Sequence, residues 1–216
     1  MPSMSLHILN AQEKLTAQCK WIEACLSETY TKARSLMPLP PLDVVVKAGT
    51  NVIPEKGHMG YAPEPGLIYI TVNPDDPVFH NNHGASLERM FAHELHHAAR
   101  WAGPGYGSSL GEALISEGLA GHFSIQVCGG TPEPWECLNR NQMIPHVQRA
   151  RHEWNRTDYN HNTWFFGTGD LPGWLGYSLG FELVSRYLSD HQEKSASTLV
   201  NTDASIFMGL LLTVRE

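Results

Sequence analysis

The sequence has no basic tract. Its 15 Lys and Arg are scattered among 22 Asp and Glu, for a formal charge of −7, and that balance excludes the electrostatic footprint of a nucleic-acid or anionic-lipid binder. Long apolar runs are missing too. The longest, around Ile206 to Val214, is too short to cross a bilayer, and MPSMSLHILNAQEKL breaks the continuous apolar stretch that a signal peptide needs. Cysteine is scarce: Cys19, Cys25, Cys128 and Cys137 show no CxxC spacing, so free, partly buried thiols are expected rather than a structural zinc or redox pair. There is no internal repeat and no low-complexity segment. These absences point to a cytoplasmic protein with neither a membrane nor a nucleic-acid partner, and nothing in the sequence sets an oligomeric state.

What remains is an ordinary globular composition, 42% hydrophobic and 17% charged over 216 residues. That is enough for one substantial core and too little for several domains. We expect a single domain over 1–216, with an N-terminal helical segment (1–37), a sheet with the metal-binding helices (38–130) and a helical C-terminal part (131–216). Residues 8–36 carry Leu15, Cys19, Ile22 and Leu26 at helical spacing without Gly or Pro. The prolines of MPLPP stop that helix, and the β-branched LDVVVKAG reads as a buried strand. LIYITVN (67–73) is a second strand between turn-formers, and GHMGYA before it is a short edge strand. The pattern is helical from Ser86, read as its N-cap, to Arg100, and again from Ser108 or Ser109 to about Val127, despite Gly118 and Gly121. Residues 138–156 look helical and polar, and WLGYSLGFELVSRYLSD is a strong amphipathic helix.

Twelve histidines are the one excess, which favours a metal site and accidental motifs alike. In HELHH, His93 and His97 stand at i and i+4, so both imidazoles leave one helix face about a turn apart and can reach one zinc ion. Glu94 lies beside that face, within reach of a water on the ion, and suits a general base. Glu117 follows His97 with nineteen residues between, enough for the turn GPGYG and a second helix that returns a carboxylate to the metal. Glu112 is the competitor. Its five-residue offset from Glu117 places it about 140° around the helix, so both cannot face one ion, and a first-turn carboxylate is favoured there by the helix dipole in any case. His96 lies off the shared face and reads as a surface or supporting residue; His122 reads as supporting or core, and His152 as solvated.

Three protein ligands leave a fourth zinc position open, as in catalytic rather than structural sites. Amide hydrolysis by an activated water is the reaction this serves best, and its tetrahedral intermediate needs a donor for the oxyanion. Tyr177 is the first choice, with His161 and His146 behind it; the alternative for Tyr177 is an aromatic anchor of the last helix, and His146 otherwise sits on a solvated helix.

HELHH followed by ISEGLAGHF resembles the gluzincins, zinc peptidases with two ligands from HExxH and a third from a downstream glutamate. ISEGLAGHF is similar to the aminopeptidase segment of the form NEGFA, which aligns Glu117 with the ligand position. HELHH with EALISEGLAGHF, the strand LIYITVNP and the late GWLGYSLGFEL look more closely like the YjaZ-like family of bacterial predicted zinc-dependent proteases, over roughly residues 40–190. The resemblance implies an α+β, zincin-like fold: a small twisted sheet with an edge strand above the cleft, the HExxH helix beneath, and a mostly helical C-terminal part. It implies zinc as cofactor, a peptide or protein as substrate, and a downstream tyrosine at the oxyanion, a role Tyr177 could fill. Thermolysin-like enzymes place an orienting aspartate four residues after the ligand glutamate. Here that position is Gly121, so such a carboxylate must come from elsewhere, Glu112 or Asp170 being candidates. The aminopeptidase GxMEN sequence is missing, so exopeptidase activity is not expected.

The leading expectation is therefore a zinc-dependent peptidase. A metal-binding regulatory protein without turnover, or a zinc hydrolase of a non-peptide amide or ester, would use the same ligands; Glu94 favours chemistry over binding alone.

Overall fold

A computed structural model describes residues 3–215, with side chains through residue 212. The chain forms two compact units. The first runs to Ala102 and takes in Ser124–Gly130; the second comprises Gly103–Phe123 and the chain from Thr131 onward. The architecture is α+β, one small sheet among many helices.

In the first unit a four-stranded sheet has the order β1-β2-β4-β3: β1 (Met4–Leu9), β2 (Leu42–Ala48), β3 (His58–Glu64) and β4 (Leu67–Val72). β1 and β4 flank β2 in parallel, while β3 runs antiparallel to β4 and forms an edge. Strand alternation makes the face: Leu42, Val44 and Val46 of β2, and Ile68, Ile70 and Val72 of β4, are all buried. Parallel β1 and β2 need a crossover, supplied by α1 (Cys19–Leu36), which buries Ile22, Cys25, Leu26, Thr29, Tyr30 and Ala33 along one stripe. After the short α2 (Pro77–Asn81), capped by Asp76, α3 (Ser86–Arg100) packs on α1 and β3.

Two local expectations are corrected. Residues 1–37 are not wholly helical, because Met4–Leu9 is a strand and helix begins only at Cys19. Asn10 turns the chain by accepting from the Leu15 amide at 2.7 Å, and Glu13 takes a left-handed φ of 59°, which no helix interior accommodates. Ser86 does not cap α3 either. Asn82 does, accepting from the Leu87 amide at 2.8 Å, which leaves the Ser86 hydroxyl to hydrogen-bond His58 Nε2 at 2.8 Å.

The second unit is helical: the start of α4 (Leu110–Cys128), the short α5 (Arg140–Met143), α6 (Val147–Glu153), a π-turn over Asn162–Phe166, α7 (Leu175–Asp190) and a 3-10 segment (Ala204–Arg215). Its core joins Leu110, Leu114 and Leu119 of α4 to Trp154, Trp164, Phe165, Leu179 and Phe207. The polar segment 138–156 is broken by a 3-10 turn at Ile144–His146 rather than running as one helix. Gly118 is no defect in α4. A Cβ there would collide with the Gly180 carbonyl of α7, and one on Gly180 with the Leu114 carbonyl, so the two helices touch backbone to backbone.

The four cysteines are free thiols. Among the described residues, no helix is long and apolar enough to cross a membrane.

Candidate metal centre

α3 carries HELHH. One helical turn separates His93 from His97, and their Nε2 atoms stand 3.0 Å apart with the rings nearly perpendicular, 77° between planes. Glu94, between them in sequence, is buried to 8% exposure. His96, expected at the surface or in support, is fully buried.

Strand β3 lies along α3, and His58, Gly60 and Ala62 point toward it: His58 meets Ser86, Gly60 abuts Met90 and Glu94, and the Ala62 carbonyl accepts from Trp101 Nε1 at 3.3 Å. The backbone of β3 is equally ordered. Asn73 N–H donates to the Gly57 carbonyl, which makes 57/73 a hydrogen-bonded pair in the register of β3 and β4. By the alternation of an antiparallel ladder, residues 59 and 61 bond β4 while 58, 60 and 62 turn their amides and carbonyls outward. The His58 carbonyl is taken by the Ile53 amide and that of Ala62 by Trp101. Gly60 is left facing outward between them.

α4 carries Glu117, 8% exposed. Around it the second unit gathers residues from three separate loops and helices. The Tyr106 hydroxyl hydrogen-bonds the Glu117 carboxylate; burial first, and then the charge of Glu117, hold its pKa well above the usual phenol value. Burial followed by the Glu117 charge pushes Tyr159 up to about 12. The Tyr159 hydroxyl lies 3.2 Å from His161 Nδ1. Burial lowers the His161 pKa while Glu117 opposes that shift. Tyr177, the expected oxyanion donor, is half-buried and meets Phe165 edge-on at 5.0 Å, and its field reaches Tyr106. It has the packing of an anchor and the neighbourhood of a functional group.

His93, His97 and Glu117 each offer one ligand atom, and these lie within 4.8 Å of one another; they are the one group of that kind among the described residues. Two nitrogens bound at about 2.0–2.1 Å to one tetrahedral zinc stand roughly 3.3 Å apart, so the 3.0 Å imidazole pair and the buried carboxylate fit a zinc ion. Glu112 is elsewhere: its carboxylate accepts from the amides of Ser108 and Ser109 and from the Ser109 hydroxyl, closing the first turn of α4. Asp170 is exposed and ion-paired with Arg149 at 2.7 Å. His146, His152 and His122 also lie outside the ligand group, His122 stacked 3.8 Å from Phe181. Sequence reasoning missed Tyr106 and Tyr159. Tyr106 lies in GPGYG, which reads only as a turn, and its place directly before the ligand helix was the available signal.

A family model described as "Predicted Zn-dependent protease (DUF2268)" matches residues 22–208. Among curated proteins, the chain is 28% identical over 140 residues to the uncharacterized protein YjaZ of Bacillus subtilis (strain 168). That alignment covers 59% of this chain and 51% of the relative, so the chain spans about half the length of the curated relative it matches. No solved structure matches.

Proposed function

The chain belongs to the family of predicted zinc-dependent proteases, and on that premise we propose that it is a gluzincin-type peptidase of zincin-like fold. It holds zinc through His93, His97 and Glu117, and Glu94 is its general base. The observation that carries this reading is the approach of three ligand atoms to within 4.8 Å beside a buried fourth group, Glu94, that no ligand role requires. When bound, zinc supplies Lewis acidity toward water and toward the scissile carbonyl.

The chain's own residues do the rest. Glu94 takes a proton on its carboxylate from the attacking water and delivers it to the departing amine. Tyr177 donates to the developing oxyanion. Tyr106, bonded to Glu117, fixes the ligand carboxylate in the way that groups behind a metal ligand orient it. The substrate is a peptide or protein segment laid along β3 as an added strand, its backbone paired with the outward amide and carbonyl of Gly60. The four free thiols support a reducing, cytoplasmic setting.

The test is zinc content and peptide hydrolysis in wild type and Glu94→Gln. Zinc retained with turnover down by about 10²-fold or more supports the assignment. Equal hydrolysis by the two proteins overturns it.

A further inference from the structure

We infer that Gly60 is a positioning residue for Glu94, and that the missing side chain at this point of β3 sets where the general base stands. The inference rests on the catalytic reading of Glu94. A Cβ built on Gly60 would lie 2.5 Å from Glu94 Cγ and 3.0 Å from Glu94 Oε1, and in collision with Met90 Sδ. Met90 ends in a flexible thioether that swings aside. Glu94 has no such freedom, because its Cγ is close to the helix backbone and its side chain is enclosed at 8% exposure.

The backbone conformation is not what demands glycine. Gly60 is absent from the glycines with positive φ, and its neighbours on β3 carry side chains. What demands it is the space taken by Glu94. The strand is held at this distance on both sides, by the His58–Ser86 hydrogen bond at 2.8 Å before Gly60 and by the Trp101–Ala62 bond at 3.3 Å after it. β3 therefore cannot lift off α3 to admit a methyl group without breaking one of these ties, and the carboxylate moves instead. Displacements near an ångström at a reacting group cost about 10²-fold in rate.

Met90→Ala supplies a background in which the nearest obstacle left for a residue-60 side chain is Glu94. Four proteins are compared by zinc content, kcat, KM and Tm: Met90→Ala, Met90→Ala with Gly60→Ala, Met90→Ala with Glu94→Ala, and the triple variant. The first keeps zinc and turnover. Adding Gly60→Ala lowers kcat by about 10²-fold with KM and zinc content kept, and lowers Tm. With Glu94→Ala in place, Gly60→Ala no longer lowers Tm, because the two residues compete for one volume. Unchanged kcat on adding Gly60→Ala, or an undiminished Tm loss once Glu94 is gone, overturns the proposal. If Met90→Ala and wild type both fail to hydrolyse peptides, the proposed function fails while the Tm comparison still decides the role of Gly60.

Discussion

His58 is held neutral by its surroundings. Burial and then the charge of Lys56 bring its pKa down to about 4 from the usual 6.5, and Ser86 occupies its Nε2. Between pH 6.5 and about 4 the unfolded chain binds a proton at this position and the folded chain does not, so folding stability falls as pH drops through that window. The full effect is at most roughly 3 kcal/mol. Urea denaturation at pH 7 and pH 4.5 should show the loss in wild type and a shallower one in His58→Gln; equal slopes would remove His58 from the account. The two carboxylates of α4 should separate as cleanly. Glu117→Ala weakens zinc binding by orders of magnitude with a modest change in metal-free stability. Glu112→Ala leaves zinc affinity nearly intact and costs about 1 kcal/mol, because it strips the acceptor from the two amides, Ser108 and Ser109, that lead into α4. Zinc titration and denaturation of the apoproteins measure both, and the reverse order would exchange their roles.

The contact of α4 with α7 leaves no room for a side chain on either helix where they meet, since each presents a glycine to the other's carbonyl. Gly180→Ala should therefore destabilise the protein by about 1–3 kcal/mol or more although alanine is the better helix former; chemical denaturation at neutral pH checks it, and a neutral or stabilising result would mean that the helices can part. This crossing also shows where the sequence was readable and where it was not. Gly118 looked like a weakness in α4 because its reason lies sixty residues away in the chain. β2, β4, α3 and α7 were legible because their apolar period is local and long. β1 was not, being a six-residue strand whose partner lies beyond an intervening helix. The start of α1 was misplaced because Asn10 and Glu13 impose their turn through a side-chain bond and a left-handed φ, which apolar spacing does not register. HELHH could be read because one helix turn supplies both imidazoles. Tyr106 and Tyr159 could not, since each comes from an irregular segment placed only by the tertiary fold.

For the molecule as a whole, a zinc ion that binds only the folded chain adds stability in proportion to the logarithm of its concentration over the dissociation constant. A chelator should lower Tm, and zinc should restore it in wild type and Glu94→Gln but not in Glu117→Ala, as followed by circular dichroism during heating. Equal melting with and without chelator would argue against a bound ion. The parallel arrangement of β1, β2 and β4 has one more consequence. Neither parallel pair can form as a hairpin, so α1 must be spanned before β1 meets β2, and β3 and the turn to β4 must be passed before β4 meets β2. Loop-closure entropy is thus spent ahead of most of the sheet's contacts. The antiparallel β3 and β4, joined through Pro65 and Gly66, close on a fast clock, so the strand that lies on Glu94 is formed before the sheet that it borders.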